Sequence, residues 1–169
     1  MKTIIRGGIL LGILVSIWTF LFGMMNLHRN VTGGLTFALV ATVIELVVLV
    51  WALKRTAAEG RGWFGQVSAG TLLSFVGGCL ILATSYLYLT QVNPNYTAEA
   101  QEAQIAALRQ ANVDEATIQQ QMAATEKFQT PIAQAAVGFI ATVITGFILS
   151  AILGLFIRSK VPRPATAPA

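Results

Sequence analysis

The sequence predicts an all-α fold: a four-helix transmembrane bundle with a helical extracytoplasmic insert between spans three and four. Two observations carry this. The chain is 55% hydrophobic and 11% charged, against about 25% charged in an ordinary soluble domain, so it has too little polar surface to cover a water-soluble globule. Four mostly apolar runs, at 7–25, 32–53, 67–90 and 131–157, each reach the roughly 20 residues that cross a hydrocarbon core. The expected organisation is one membrane domain over 1–160, its insert at 91–130, and a disordered Pro- and Ala-rich tail at 161–169.

The first span follows Lys2 and Arg6 in the manner of a signal peptide. Its apolar part of about 19 residues is longer than an h-region, however, and no A-x-A-like site follows, so it reads as a retained span. The linker "NLHRN" is short enough to make spans one and two antiparallel neighbours, with His28 read as a solvated loop residue. Span two contains "VATVIELVVLVW", in which Glu45 is the lone acid. The following loop, "KRTAAEGRGWFGQ", is Gly-rich and basic, and its Trp63 and Phe64 are expected to dip into lipid headgroups.

Span three carries the single cysteine, Cys79, which excludes a disulfide and a thiolate metal cluster. The segment after it is built from strong helix formers. Thr97 is expected to cap one insert helix and Asp114 a second. Ile105 and Leu108, then Ile118 and Met122, give each a narrow apolar stripe. Pro131 opens span four, where its missing N–H costs little.

Orientation follows from the basic residues. Lys2, Arg6, Lys54, Arg55, Arg61, Arg158, Lys160 and Arg163 fall on one side and Arg29, Arg109 and Lys127 on the other, 8 against 3 of the 11. By the positive-inside rule both termini are expected to be cytoplasmic, in a bacterial inner membrane. The net charge of +4 is then a topology signal directed at anionic lipid. No basic, aromatic-interleaved soluble surface points to nucleic acid.

Every span carries small residues four apart, the pattern of close helix packing in lipid. They are Gly8, Gly12 and Ser16; Gly34, Ala38 and Thr42; Gly70, Ser74 and Gly78; and an unbroken ladder of Gly138, Thr142, Gly146, Ser150 and Gly154. The ladder serves either the bundle itself or another subunit. Glu45 lies 8 residues from Leu53, about 12 Å in at 1.5 Å per residue. Ser16, Ser74 and Ser150 fall at comparable depth on the other spans, so an intramembrane polar layer of Glu45, Ser16, Ser74 and Ser150 is expected. Such a layer fixes helix register, forms a proton or cation site, or meets a partner chain.

With one His, no paired intramembrane acids, no G-x-S-x-G and no phosphate loop, neither intramembrane proteolysis nor nucleotide-driven transport has its parts. No enzyme activity, cofactor or metal is expected.

"MKTIIRGGILLG", "GRGWFGQVSAGTLLS" entering span three, "YLYLTQVNPNY" leaving it, a helical outer segment and a small-residue last span together resemble bacterial domain-of-unknown-function family 4199. The likeness runs nearly to Lys160 and implies four spans with an extracytoplasmic insert; it brings no activity and no catalytic residues. The functional expectation is a non-enzymatic structural or accessory subunit, partnered by the lipid bilayer and by itself or other membrane subunits. The alternative is a small proton-linked transporter or channel using Glu45.

Overall fold

The computed structural model describes residues 1–29 and 32–157. The tail at 161–169, and Arg158, Lys160 and Arg163 of the basic count, lie outside them. Six α-helices follow in order: α1 Lys2–Met24, α2 Gly33–Ala58, α3 Trp63–Leu87, α4 Tyr96–Gln110, α5 Glu115–Thr125 and α6 Pro131–Phe156. Four of these are long and apolar enough to cross a membrane, α3 by running on through a π turn at Tyr88–Val92.

The boundaries have local causes. Asn26 ends α1 and Asn112 ends α4 in the left-handed region, at φ 53° and 56°, where Asn is tolerated better than most residues. Gly60, at φ +84°, lets α2 turn into α3. Pro94 biases Asn93 away from helical backbone and closes the long third helix. Asp114 caps α5 by accepting from the Thr117 amide at 2.9 Å, and Thr130 caps α6 ahead of Pro131. Thr97 does not cap α4. That helix begins one residue earlier, at Tyr96, with no side-chain cap bond, and the Thr97 hydroxyl instead accepts from Gln134 Nε2 at 3.3 Å.

α3 is the central helix. α1 packs along it in parallel: a Cβ added at Gly8 would lie 2.7 Å from the Leu73 carbonyl oxygen, and one at Gly12 would lie 3.1 Å from that of Gly77. α6 packs antiparallel on another face, with Ser150 beside Gly70 and Gly146 beside Ser74. α2 joins the core mainly through its second half, where Val48, Leu49, Ala52 and Leu53 are buried.

Gly, Ser and Ala line these contacts, while Ile9, Ile13, Ile17, Leu35, Leu39, Val43, Ile140, Ile144 and Ile148 stand exposed. Small residues inside and large apolar ones outside is the arrangement lipid selects, since hydrocarbon solvates the large side chains and only close backbone approach holds helices together. The chain is a multi-pass membrane protein.

Candidate functional site

Glu45 is 4% exposed in the first half of α2. The Ser74 hydroxyl on α3 donates to its Oε1 at 2.7 Å. Gly146 on α6 closes the same point: a Cβ there would run into Ser74 Oγ and stand 2.7 Å from Glu45 Oε1. Three helices therefore meet at one carboxyl, and glycine on the third makes the room.

The other two serines of the expected layer sit elsewhere. Ser150 is fully buried one turn away, donating to the Gly146 carbonyl of its own helix and packing against Gly70. Ser16 lies on the α1–α3 contact, hydrogen-bonded to the Gly12 carbonyl and to Thr84, each at 2.7 Å. Thr84 is ten residues beyond Ser74, about 15 Å farther along α3, and on a different face. Counting depth from sequence ignores both where a helix starts and which way a side chain points.

The α6 ladder divides in the same way. Gly146, Ser150 and Gly154 are buried; Gly154 faces Trp63 and Gln66, and Trp63 Nε1 donates to the Ala151 carbonyl at 3.0 Å. Gly138 has nothing within 4 Å of an added Cβ, and Thr142 bonds only back to the Gly138 carbonyl at 2.9 Å. Gly34 on α2 is likewise open. From Glu45 towards the insert, α2 and α6 part, leaving a cleft of about 300 Å³.

Glu45, Leu11 and Thr145 line the deep end of this cleft, and Phe22, Phe37, Tyr88, Tyr96 and Gln134 the end beneath the insert. Ala38, Thr42 and Ala141 line it while standing exposed on the bundle surface. The cleft thus opens sideways between α2 and α6, towards hydrocarbon in a bilayer. Its wall is mainly apolar, interrupted by the Glu45 carboxyl and a few hydroxyls.

Over the cleft, the insert is clamped to the α1–α2 connection. Glu99 on α4 accepts from His28 Nε2 at 2.7 Å and from Arg29 through Nη2 at 2.6 Å and Nε at 3.2 Å. Tyr96 stacks on His28 with ring centroids 4.5 Å apart. His28 is therefore buried, 5% exposed, not a solvated loop residue; the insert that covers it comes from some 70 residues later in the chain. Its Nδ1 has no partner among the described residues. The hydrogen bonds from Arg29 and His28 pull the Glu99 carboxyl down to about 2.

A second polar cluster escaped the sequence reading. Gln66, fully buried, accepts from the Thr56 hydroxyl at 2.6 Å and donates to the Leu53 carbonyl at 3.2 Å, tying the end of α2 to the start of α3. The loop expected from the sequence ends at Gln66, whereas α3 already begins at Trp63, so Gln66 lies one turn inside the helix.

No group of His, Cys, Asp and Glu among the described residues is placed to hold a metal ion. No curated protein and no solved structure matches the chain. The family model described as "Protein of unknown function (DUF4199)" matches residues 6–159, which is nearly the whole sequence, and the chain belongs to that family.

Proposed function

We propose that this chain is a non-enzymatic membrane protein that takes a small, mostly apolar molecule from the bilayer into the Glu45 cleft, with Glu45 as its polar anchor. The observation that supports this is the carboxyl itself: held by Ser74, it lines the deep end of a cleft of about 300 Å³, near the lower limit for small-molecule sites. A buried acid in a membrane is costly to keep, which makes a ligand or proton role the first reading for it. The same reading accommodates proton-linked carriage, since a carboxyl can exchange a proton for a ligand. The 8 to 3 division of basic residues supports a bacterial cytoplasmic membrane with both termini inside.

The accessory-subunit reading leaned on a small-residue face offered to another chain. Gly146, Ser150 and Gly154 are buried on α6, whereas Gly138 and Thr142 face the cleft. That ladder therefore lends it little support.

The test is native mass spectrometry of the protein purified in native-lipid nanodiscs, with Gly138→Phe as the comparison. Gly138 lines the cleft and a Cβ there meets nothing within 4 Å, so a phenyl ring at this position is expected to occupy the cleft, and an unchanged unfolding temperature checks that the bundle is kept. A bound small molecule on the wild type, lost from the variant, is expected. The same adducts on both, or none on either, would sink the proposal.

A further inference from the structure

Resting on that reading, we infer that the molecule recognised is a lipophilic organic cation: an ammonium group at Glu45 carried on an elongated apolar body. Charge gives the first argument. Among the residues lining the cleft there is one carboxyl, Glu45, and no Lys, Arg or His. Ser74 occupies Oε1 with one hydrogen bond. A neutral lipid tail in the cleft would cover the carboxyl without satisfying it, which is costly in an apolar surround. An ammonium supplies both the opposite charge and several N–H donors, for which the Thr145 and Thr42 hydroxyls are further acceptors on the wall.

Shape gives the second. The deep end and the aromatic end are separated along α2 by the eight residues from Phe37 to Glu45, about 12 Å. Between them Ala38, Ala41, Gly138 and Ala141 supply the small part of the wall, alongside side chains that carry hydroxyls, and Phe22 and Phe37 meet edge to face at the far end with centroids 5.3 Å apart. A slender chain ending in an apolar or aryl group fills that path with its cation at Glu45. A bare metal cation does not suit it, because a hard ion needs several oxygen ligands in place of its water and the wall is mainly apolar. The sideways opening admits such an amphiphile from the bilayer.

The experiment is calorimetric titration of the full chain in nanodiscs, with empty nanodiscs subtracted, using 4-phenylbutylamine, 4-phenylbutan-1-ol and 4-phenylbutanoate. These share one body and differ in the charge of the head. The amine is expected to bind at least about tenfold tighter than the alcohol, as a charge-assisted hydrogen bond implies, and the carboxylate weakest. Glu45→Gln is expected to weaken the amine to the level of the alcohol, erasing the preference between them, and Gly138→Phe to abolish binding of both. If the wild type binds the alcohol as tightly as the amine, the cation assignment is overturned; provided Gly138→Phe blocks that binding, the cleft reading survives. The amine-alcohol comparison needs no variant, so it decides even where Glu45→Gln fails to fold. If none of the three probes binds the wild type, both inferences fall.

Discussion

Ser74 on α3 and Glu45 on α2 share a hydrogen bond of 2.7 Å at the level where α2 stops following the bundle. On one side of it Val48, Leu49, Ala52 and Leu53 are buried; on the other Ala38 and Thr42 are exposed. The bond sits at the vertex of the cleft. Its position explains how one carboxyl can be both a structural pin and a wall of the binding space.

The two roles separate by substitution. Glu45→Gln keeps an acceptor for Ser74 and should leave stability near that of the wild type. Glu45→Leu and Ser74→Ala each remove the bond and should cost roughly 0.6 to 2 kcal/mol, the range for interhelical hydrogen bonds in membranes. Thermal unfolding in detergent reads this, and a large loss from Glu45→Gln would show that the carboxyl has a partner Gln cannot serve.

Gly146→Ala tests the vertex from the third helix. The new methyl would collide with Ser74 Oγ and crowd Glu45 Oε1, both fixed by their mutual bond. Overpacking of this kind costs about 1 to 3 kcal/mol. Gly138→Ala, where the methyl meets nothing within 4 Å, should be neutral or slightly stabilising. Equal unfolding temperatures for the two variants would contradict the divided ladder.

The spans were legible in the sequence because hydrocarbon imposes a length and a composition that few other structures share. Glu45 was legible for the same reason: a lone acid in an apolar run must have a partner, and a hydroxyl at matching depth on α3 supplies it. Ser16 was misplaced in both depth and direction, since its partner Thr84 lies about 15 Å beyond Ser74 along α3 and on another face. The Glu99 clamp was invisible for a different reason. Its partners, His28 and Arg29, lie some 70 residues away in sequence, and the docking of α4 on the α1–α2 turn is a tertiary choice that no local pattern announces.

Gln66→Leu addresses the opposite end of the bundle. The change removes the amide that bonds both the Thr56 hydroxyl and the Leu53 carbonyl, leaving the two joined only to each other at 3.1 Å, and should cost about 0.5 to 1.5 kcal/mol. Adding Thr56→Val should then cost less than its separate effect, because residues in one network are not additive. Additive losses in the double variant would mean the two side chains act independently.

Orientation is open to chemical labelling. From the 8 to 3 division of basic residues, the α2–α3 turn is expected in the cytoplasm and the insert outside. Single cysteines at the exposed positions Ala58 and Ala116, in a Cys79→Ser background, report on each side. An impermeant thiol reagent applied to intact cells should modify position 116 and spare position 58. The reverse pattern would invert the topology.

The clamp on the insert should be sensitive to strong acid and to no milder change in Glu99. The guanidinium of Arg29, then the imidazole of His28, hydrogen-bond the Glu99 carboxylate and hold it at about 2, below the ordinary Glu value of about 4.3. A carboxyl whose folded value is depressed contributes stability that is fully present above its unfolded value. That contribution is lost as pH falls through the folded one. The contribution of Glu99 to the docking of α4 should therefore be constant above about pH 4.5 and be lost progressively towards pH 2. Glu99→Gln removes the charge and should leave α4 equally loose across the range, so that it differs from the wild type only where Glu99 is ionised. A fluorophore at exposed Ala106, read by its rotational mobility, should show wild type and variant well apart at pH 6 and converging by pH 2. A difference that persists unchanged to pH 2 would mean that the charge on Glu99 does not hold the insert.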